Sequence, residues 1–193
     1  FHLSTNGTLG PGDIPLGSRS VGPLNPGVSE PGSTSVAIPI GTAPGSYYII
    51  AKADGENLLV EATETNNTKT RLIKIGPDLK VSALSAPSSA AAGATIAVTD
   101  TVKNLGGGSA GPSTVRFFLS TDAILDAGDA VLGSRGVPGL VPGAASSGPT
   151  TVTIPPGTPA GPYFVLGVAD ADHIVSETSE SNNAKTRAIT VAP

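Results

Sequence analysis

Asp122, Asp126 and Asp129 lie within eight residues of one another. Together with backbone carbonyls, three carboxylates supply part of the 6–8 oxygen ligands that Ca²⁺ takes. The spacing is not the EF-hand pattern. The competing expectation is that these Asp side chains close Asx turns. A second polar group runs through Asp170, Asp172, Glu177, Glu180, Asn182 and Asn183. It is read mainly as Asn and Asp chemistry holding a long hairpin loop. A second Ca²⁺ site or an acidic contact patch is the alternative. Gly107-Gly-Ser-Ala-Gly111 satisfies G-x-S-x-G. A nucleophile elbow needs a helix after the serine and a base nearby, whereas Pro112 and a strand-like run follow here. A turn is expected. A glycosidase carboxylate pair would need a cleft with carboxyls ~5–9 Å apart, and no such cleft is legible. No catalytic residue is assigned.

The rest of the composition narrows the classes. There is no Cys, so neither a disulfide nor thiolate chemistry is available, and only two His are present. Eleven Lys and Arg against fifteen Asp and Glu give a net charge of −4 with no basic run. That argues against a nucleic-acid binder, which needs a basic stripe. No run approaches the ~18–20 apolar residues of a membrane helix. Twenty-five Gly and eighteen Pro punctuate the chain too often for long helices. Aromatic residues are only 4%, little for stacking on a sugar ring. Tyr47, Tyr48, Tyr163 and Phe164 fall in strand-like runs, where core packing is expected.

The organising feature is an internal repeat. Residues 1–77 align with 117–193 without a gap at an offset of 116, with 35 identities. Leu-Gly-Ser-Arg recurs at 16–19 and 132–135, and Glu-x-x-Glu-x-Asn-Asn at 61–67 and 177–183. A period of 116 is a whole domain, not a solenoid repeat. The expected division is 1–76 and 77–193. At the Asp122, Asp126 and Asp129 positions the first copy carries Asn6, Gly10 and Asp13. Two of three charges are gone, which weighs against a metal common to both copies. The short join around Gly76-Pro77-Asp78 is expected to restrict the angle between them.

Within the second copy, strand signals alternate with turns. Runs are expected at 79–83, 95–103, 115–119, 129–136, 150–154, 163–169 and 185–192. The 86–92 stretch is expected to be a loop. Ile96, Val98 and Val102 should share one face, as should Val115, Phe117 and Leu119. Seven short strands in this length predict an all-β fold of tandem immunoglobulin-like antiparallel β-sandwiches. The first copy has no counterpart of residues 78–116 and should lack its N-terminal strands. A chain opening on Phe1 without any Met is read as an excised piece. The expectation is that strands from outside the visible chain complete the first domain.

The segment order resembles the CARDB family, bacterial cell-adhesion-related β-sandwich modules that occur in tandem. The residues carrying it include Pro77-Asp-Leu-Lys-Val-Ser, Phe117-Phe-Leu-Ser-Thr-Asp, Leu125-Asp-Ala-Gly-Asp-Ala-Val-Leu-Gly, Ile154-Pro-Pro-Gly-Thr-Pro and Val175-Ser-Glu-Thr-Ser-Glu-Ser-Asn-Asn. What the resemblance implies is a non-enzymatic, extracellular module of the bacterial surface, built into a stalk or fibre. Its implied partners are neighbouring copies packed head to tail, or a surface or matrix ligand, with neither nucleic acid nor membrane insertion. No cofactor is implied, Ca²⁺ at Asp122, Asp126 and Asp129 aside. The rival functions are an accessory module of a secreted hydrolase and a Ca²⁺- or carbohydrate-binding module.

Overall fold

The structure, a computed structural model, describes residues 1–193. The chain divides into two compact units, Phe1–Ile75 and Gly76–Pro193. Both are all-β, without a helix, and no helix is therefore long and apolar enough to cross a membrane.

The second unit is a two-sheet sandwich of the expected immunoglobulin-like kind. Strands β5 (Leu79–Ser85), β7 (Thr95–Asn104) and β10 (Ala145–Thr153) form one sheet in the order β10-β7-β5. Strands β6 (Ser89–Ala91), β8 (Ser113–Ser120), β9 (Ala130–Val137), β11 (Gly161–Val168) and β12 (Ala184–Ala192) form the other, ordered β6-β12-β11-β8-β9. Alternation builds the core. Ile96, Val98 and Val102 of β7 are buried, as are Val115, Phe117 and Leu119 of β8, and all six join one hydrophobic cluster. In β11, which lies between β12 and β8, the alternation gives way to a continuous buried run from Val165 through Val168.

Two expectations need correction. The 86–92 stretch is not wholly a loop: Ser89–Ala91 is a strand pairing parallel to Thr190–Ala192. Three small residues carry no periodic signal, and their pairing is fixed by the main chain alone. Strand β10 begins at Ala145, not Thr150, since all nine of its residues are in register with β7. Ala145–Pro149 are small or polar, so backbone hydrogen bonding rather than hydrophobic patterning extends it.

The first unit is one antiparallel sheet. Its strands are β1 (His2–Ser4), β2 (Ile14–Pro15), β3 (Gly45–Lys52) and β4 (Thr68–Ile75), ordered β2-β1-β3-β4. They correspond to β8, β9, β11 and β12. Leu3 and Ile50 are its buried apolar residues, against the full cluster of the second unit. No second sheet lies within it.

Candidate functional site

The 120–130 loop follows β8. The Asp122 carboxylate accepts the Ile124 amide at 2.8 Å, and the Asp122 amide donates to Ser120 Oγ at 3.1 Å. Asp126 Oδ1 accepts from the Gly128 amide at 2.7 Å. The Asp126 amide donates to Asp129 Oδ2 at 3.0 Å. Each carboxylate closes its own piece of turn, and no group of three or more Asp, Glu or His side chains gathers that could hold one metal ion. The first unit builds the same turns with less charge. Asn6 Oδ1 accepts the Thr8 amide at 2.8 Å, and Asp13 Oδ2 accepts the Gly10 amide at 2.8 Å. The Ser4 hydroxyl and that Gly10 amide hold the Asp13 carboxyl below the usual carboxylate range. Asn6 for Asp122 and Gly10 for Asp126 keep the turn bonds to the Thr8 and Gly10 amides, while the bond that Asp126 accepts from Gly128 has no counterpart because Gly10 lacks a side chain.

The 170–183 loop joins β11 to β12. Asp170 has φ 43° and His173 φ 50°, left-handed conformations rare in residues with a Cβ. The Asp170 carboxylate accepts the Ile174 and Val175 amides at 3.3 and 2.9 Å. In the first unit Asp54 (φ 42°) and Asn57 (φ 57°) repeat both dihedrals. Asp54 likewise accepts from the Leu58 and Leu59 amides, each at 3.0 Å. Further along, Asn183 Nδ2 donates to Glu177 and Glu180 at 3.2 and 3.4 Å. Asn67 does the same to Glu61 and Glu64 at 2.7 and 3.2 Å. Glu-x-x-Glu-x-Asn-Asn is thus a loop lock, read twice.

Only the second unit adds a further function to this lock. The Glu177 carboxylate accepts the Leu79 amide at the head of β5. Thr178 donates its amide to the Pro77 carbonyl at 2.7 Å, and Asn182 Nδ2 donates to Asp78 Oδ1 at 2.8 Å. From the other side Asn104 Oδ1 accepts the Asp78 amide at 3.1 Å, and Leu105 donates to the Asp78 carbonyl at 2.7 Å. Residues 76–79 are therefore gripped by two loops. Burial pushes the Glu177 carboxyl up to about 7. The Leu79 amide opposes that rise, while Glu180, Asp170 and Asp78 add to it.

The same junction explains two glycines in and beside the G-x-S-x-G stretch, Gly106 and Gly108. A Cβ on Gly106 would collide with the Gly76 carbonyl oxygen, and one on Gly108 would stand 2.8 Å from Gly76 Cα. Glycine is needed for this close approach. Strand β8, not a helix, comes next, so no nucleophile elbow forms.

Asp100 was invisible to the sequence reading. It lies on the buried face of β7 between Val98 and Val102, and it is 0% exposed. Arg135 on β9 meets it with two bonds, Nε to Oδ1 at 3.0 Å and Nη2 to Oδ2 at 2.6 Å. Arg135 Nη1 also donates to Ser146 Oγ at 3.0 Å. The signal was present: period-2 alternation places Asp100 inside, where a carboxylate needs a cation.

The CARDB family model matches residues 3–71 and 76–187. No curated protein matches the chain. Among solved structures, one similar chain is the CARDB domain of a Pyrococcus furiosus protein in complex with di-metal ions. It is 24% identical with a TM-score of 0.47, over 61% of this chain and 90% of that one. A domain of a candidate cell surface protein from Methanosarcina acetivorans is 21% identical with a TM-score of 0.44, over 61% and 94%. A β-glucosidase from Thermotoga neapolitana is 16% identical with a TM-score of 0.42, over 61% of this chain but only 16% of the enzyme. Two family matches covering nearly all residues, on two copies of one strand order, place the chain in the CARDB family of non-catalytic β-sandwich modules.

Proposed function

We propose that the protein is an extracellular structural module of the bacterial surface, a spacer or adhesive segment of a stalk or fibre. The observation that carries this reading is how the repeated polar residues are used. Asp54 and Asp170, Asn67 and Asn183, and the Glu pairs between them bond within their own loops. What the two copies share is hardware for a rigid loop. The closed second unit is held by a continuous apolar core without any disulfide. Both features suit a module whose task is to hold shape outside the cell. The family membership supports the same reading.

The test is deletion of this region from the protein that carries it, scored by surface attachment and filament formation. Loss of either is expected. Attachment and filaments unchanged, with a secreted hydrolytic activity altered instead, would sink the structural reading in favour of an accessory module.

A further inference from the structure

One dipeptide sets the loops after β1 and β8 apart. The chain holds eight Asn, and Asn6 is the only one followed by Gly. Its counterpart in the second unit is Asp122, followed by Ala123. All four residues are exposed. Asp122 is exposed in the closed second unit, so the exposure of Asn6 belongs to the loop itself.

The loop leaves the groups around Asn6 ready for one reaction. The Asn6 side-chain carbonyl accepts the Thr8 amide at 2.8 Å. A donor on that oxygen stabilises the negative charge it gains when a nucleophile adds to Cγ. The Asn6 amide is tied to Ser4 Oγ at 3.2 Å. The Gly7 amide, next along the chain, donates to no protein atom, and neither does Asn6 Nδ2. Gly7 has no Cβ to crowd the approach of its nitrogen to Cγ. The other seven Asn lack this combination. Pro26, which follows Asn25, has no amide proton to lose. Asn67, Asn104, Asn182 and Asn183 hold their Nδ2 groups in hydrogen bonds. Asn57 and Asn66 are followed by Leu58 and Asn67, whose side chains crowd the nitrogen.

We propose that Asn6 is a site of self-acting deamidation, a modification that needs only water. The Gly7 nitrogen gives its proton to solvent base and bonds to Asn6 Cγ. The Cγ–Nδ2 bond breaks, and the amide nitrogen leaves as ammonia with a proton from water. The cyclic imide then takes up water. Opening at Cγ gives aspartate at this position. Opening at the main-chain carbonyl gives isoaspartate, with the chain rerouted through Cγ. Either product adds one negative charge to the net −4. The aspartate gives the first loop the charge that Asp122 carries, and it can keep the Thr8 bond as Asp122 keeps that of Ile124 at 2.8 Å. The isoaspartate lengthens the main chain by one carbon just beyond β1. Asp122 cannot follow this route, because an ionised carboxylate is a poor electrophile and Ala123 carries a Cβ.

The experiment holds the full chain at pH 8 and at pH 5, digests samples over time and reads the Asn6 peptide by mass spectrometry. Mass gain at Asn6, with labelling by an isoaspartate-specific methyltransferase, is expected at pH 8, ahead of the other seven Asn and slower at pH 5. Gly7→Ala should slow it by about tenfold or more. That variant keeps the fold, since Gly7 has no positive φ and a Cβ there meets Tyr48 only at 3.8 Å. The urea-unfolded chain is the control. If the loop had to open first, the folded chain would lag by the opening equilibrium. A lag within about tenfold is expected, and a larger one would overturn the proposal. So would an intact Asn6 at pH 8, gain at another Asn first, or a rate that Gly7→Ala leaves unchanged.

Discussion

Arg19 and Arg135 occupy the same position of one repeat and lead different lives. Arg135 holds a fully buried carboxylate across the sandwich. Arg19 holds an exposed one from its own loop. The local sequence around them is shared, Leu-Gly-Ser-Arg in both. The difference lies in what stands opposite. A buried ion pair is a property of two sheets, and one sheet can only keep half of it ready.

The largest expected effect tests that contrast. Asp100→Ala strands Arg135 inside the sandwich and should cost the second unit about 3–5 kcal/mol. Glu30→Ala, which removes the corresponding partner of Arg19, should cost no more than about 1 kcal/mol. Denaturant unfolding of the full chain, resolved by hydrogen exchange in β11 and β3, measures both. Equal losses would break the comparison.

Apolar residues give the next contrast. Leu140→Ala should destabilise the second unit by about 2–5 kcal/mol. Leu24→Ala, at the same repeat position but half exposed, should stay within about 0.5 kcal/mol. The same measurement applies, and a large loss from Leu24→Ala would mean that its side chain is already covered.

The third contrast concerns pH. With its carboxyl raised to about 7, Glu177 binds a proton in the folded second unit through a range where the unfolded chain has released it. Folded-state binding in excess makes stability fall as pH rises. The contribution is therefore favourable below about pH 4.5 and is lost progressively up to about 7. The thermal midpoint of the second unit should be higher at pH 5 than at pH 8, and Glu177→Gln should flatten that difference. A profile unchanged by Glu177→Gln would show that another group sets it.

The smallest effect is at the Asp122–Asp129 loop. Asp126→Asn should shift stability by no more than about 0.5 kcal/mol, because Asn can still accept the Gly128 amide. Calcium or a chelator should leave the thermal midpoint of the parent chain in place. A clear calcium-dependent rise that Asp126→Asn abolishes would restore these carboxylates as ligands.

The sandwich was legible because its strands obey alternation. Val115, Phe117 and Leu119 face inward as period 2 demands, and β11 announces itself as an apolar run. What escaped was encoded in partners rather than pattern. Ser89–Ala91 is a strand because β12 is beside it. Asp100 lies on the inward face with Val98 and Val102 by alternation, but what neutralises it there is Arg135, 35 positions away, which no local pattern reveals. Asp122, Asp126 and Asp129 share a loop, as their spacing suggested, and one oxygen of each carboxylate accepts an amide of that loop. Gly106 and Gly108 lie at a stretch expected only to turn, and they are contact points for the Gly76 backbone.

The short pairing of β6 with β12 has a mechanical consequence. These strands lie near opposite ends of the second unit's chain, and they run parallel, with Ser89 opposite Thr190 and Ala91 opposite Ala192. Tension applied through the two ends of the unit would slide one strand along the other. Their hydrogen bonds, including that from Thr190 to the Ser88 carbonyl at 2.9 Å, would then be loaded together rather than peeled open in turn. These few bonds would share the load with the pairing of β5 to β7, because β5 lies between the start of the unit and β6 and carries Leu79 and Val81 of the core.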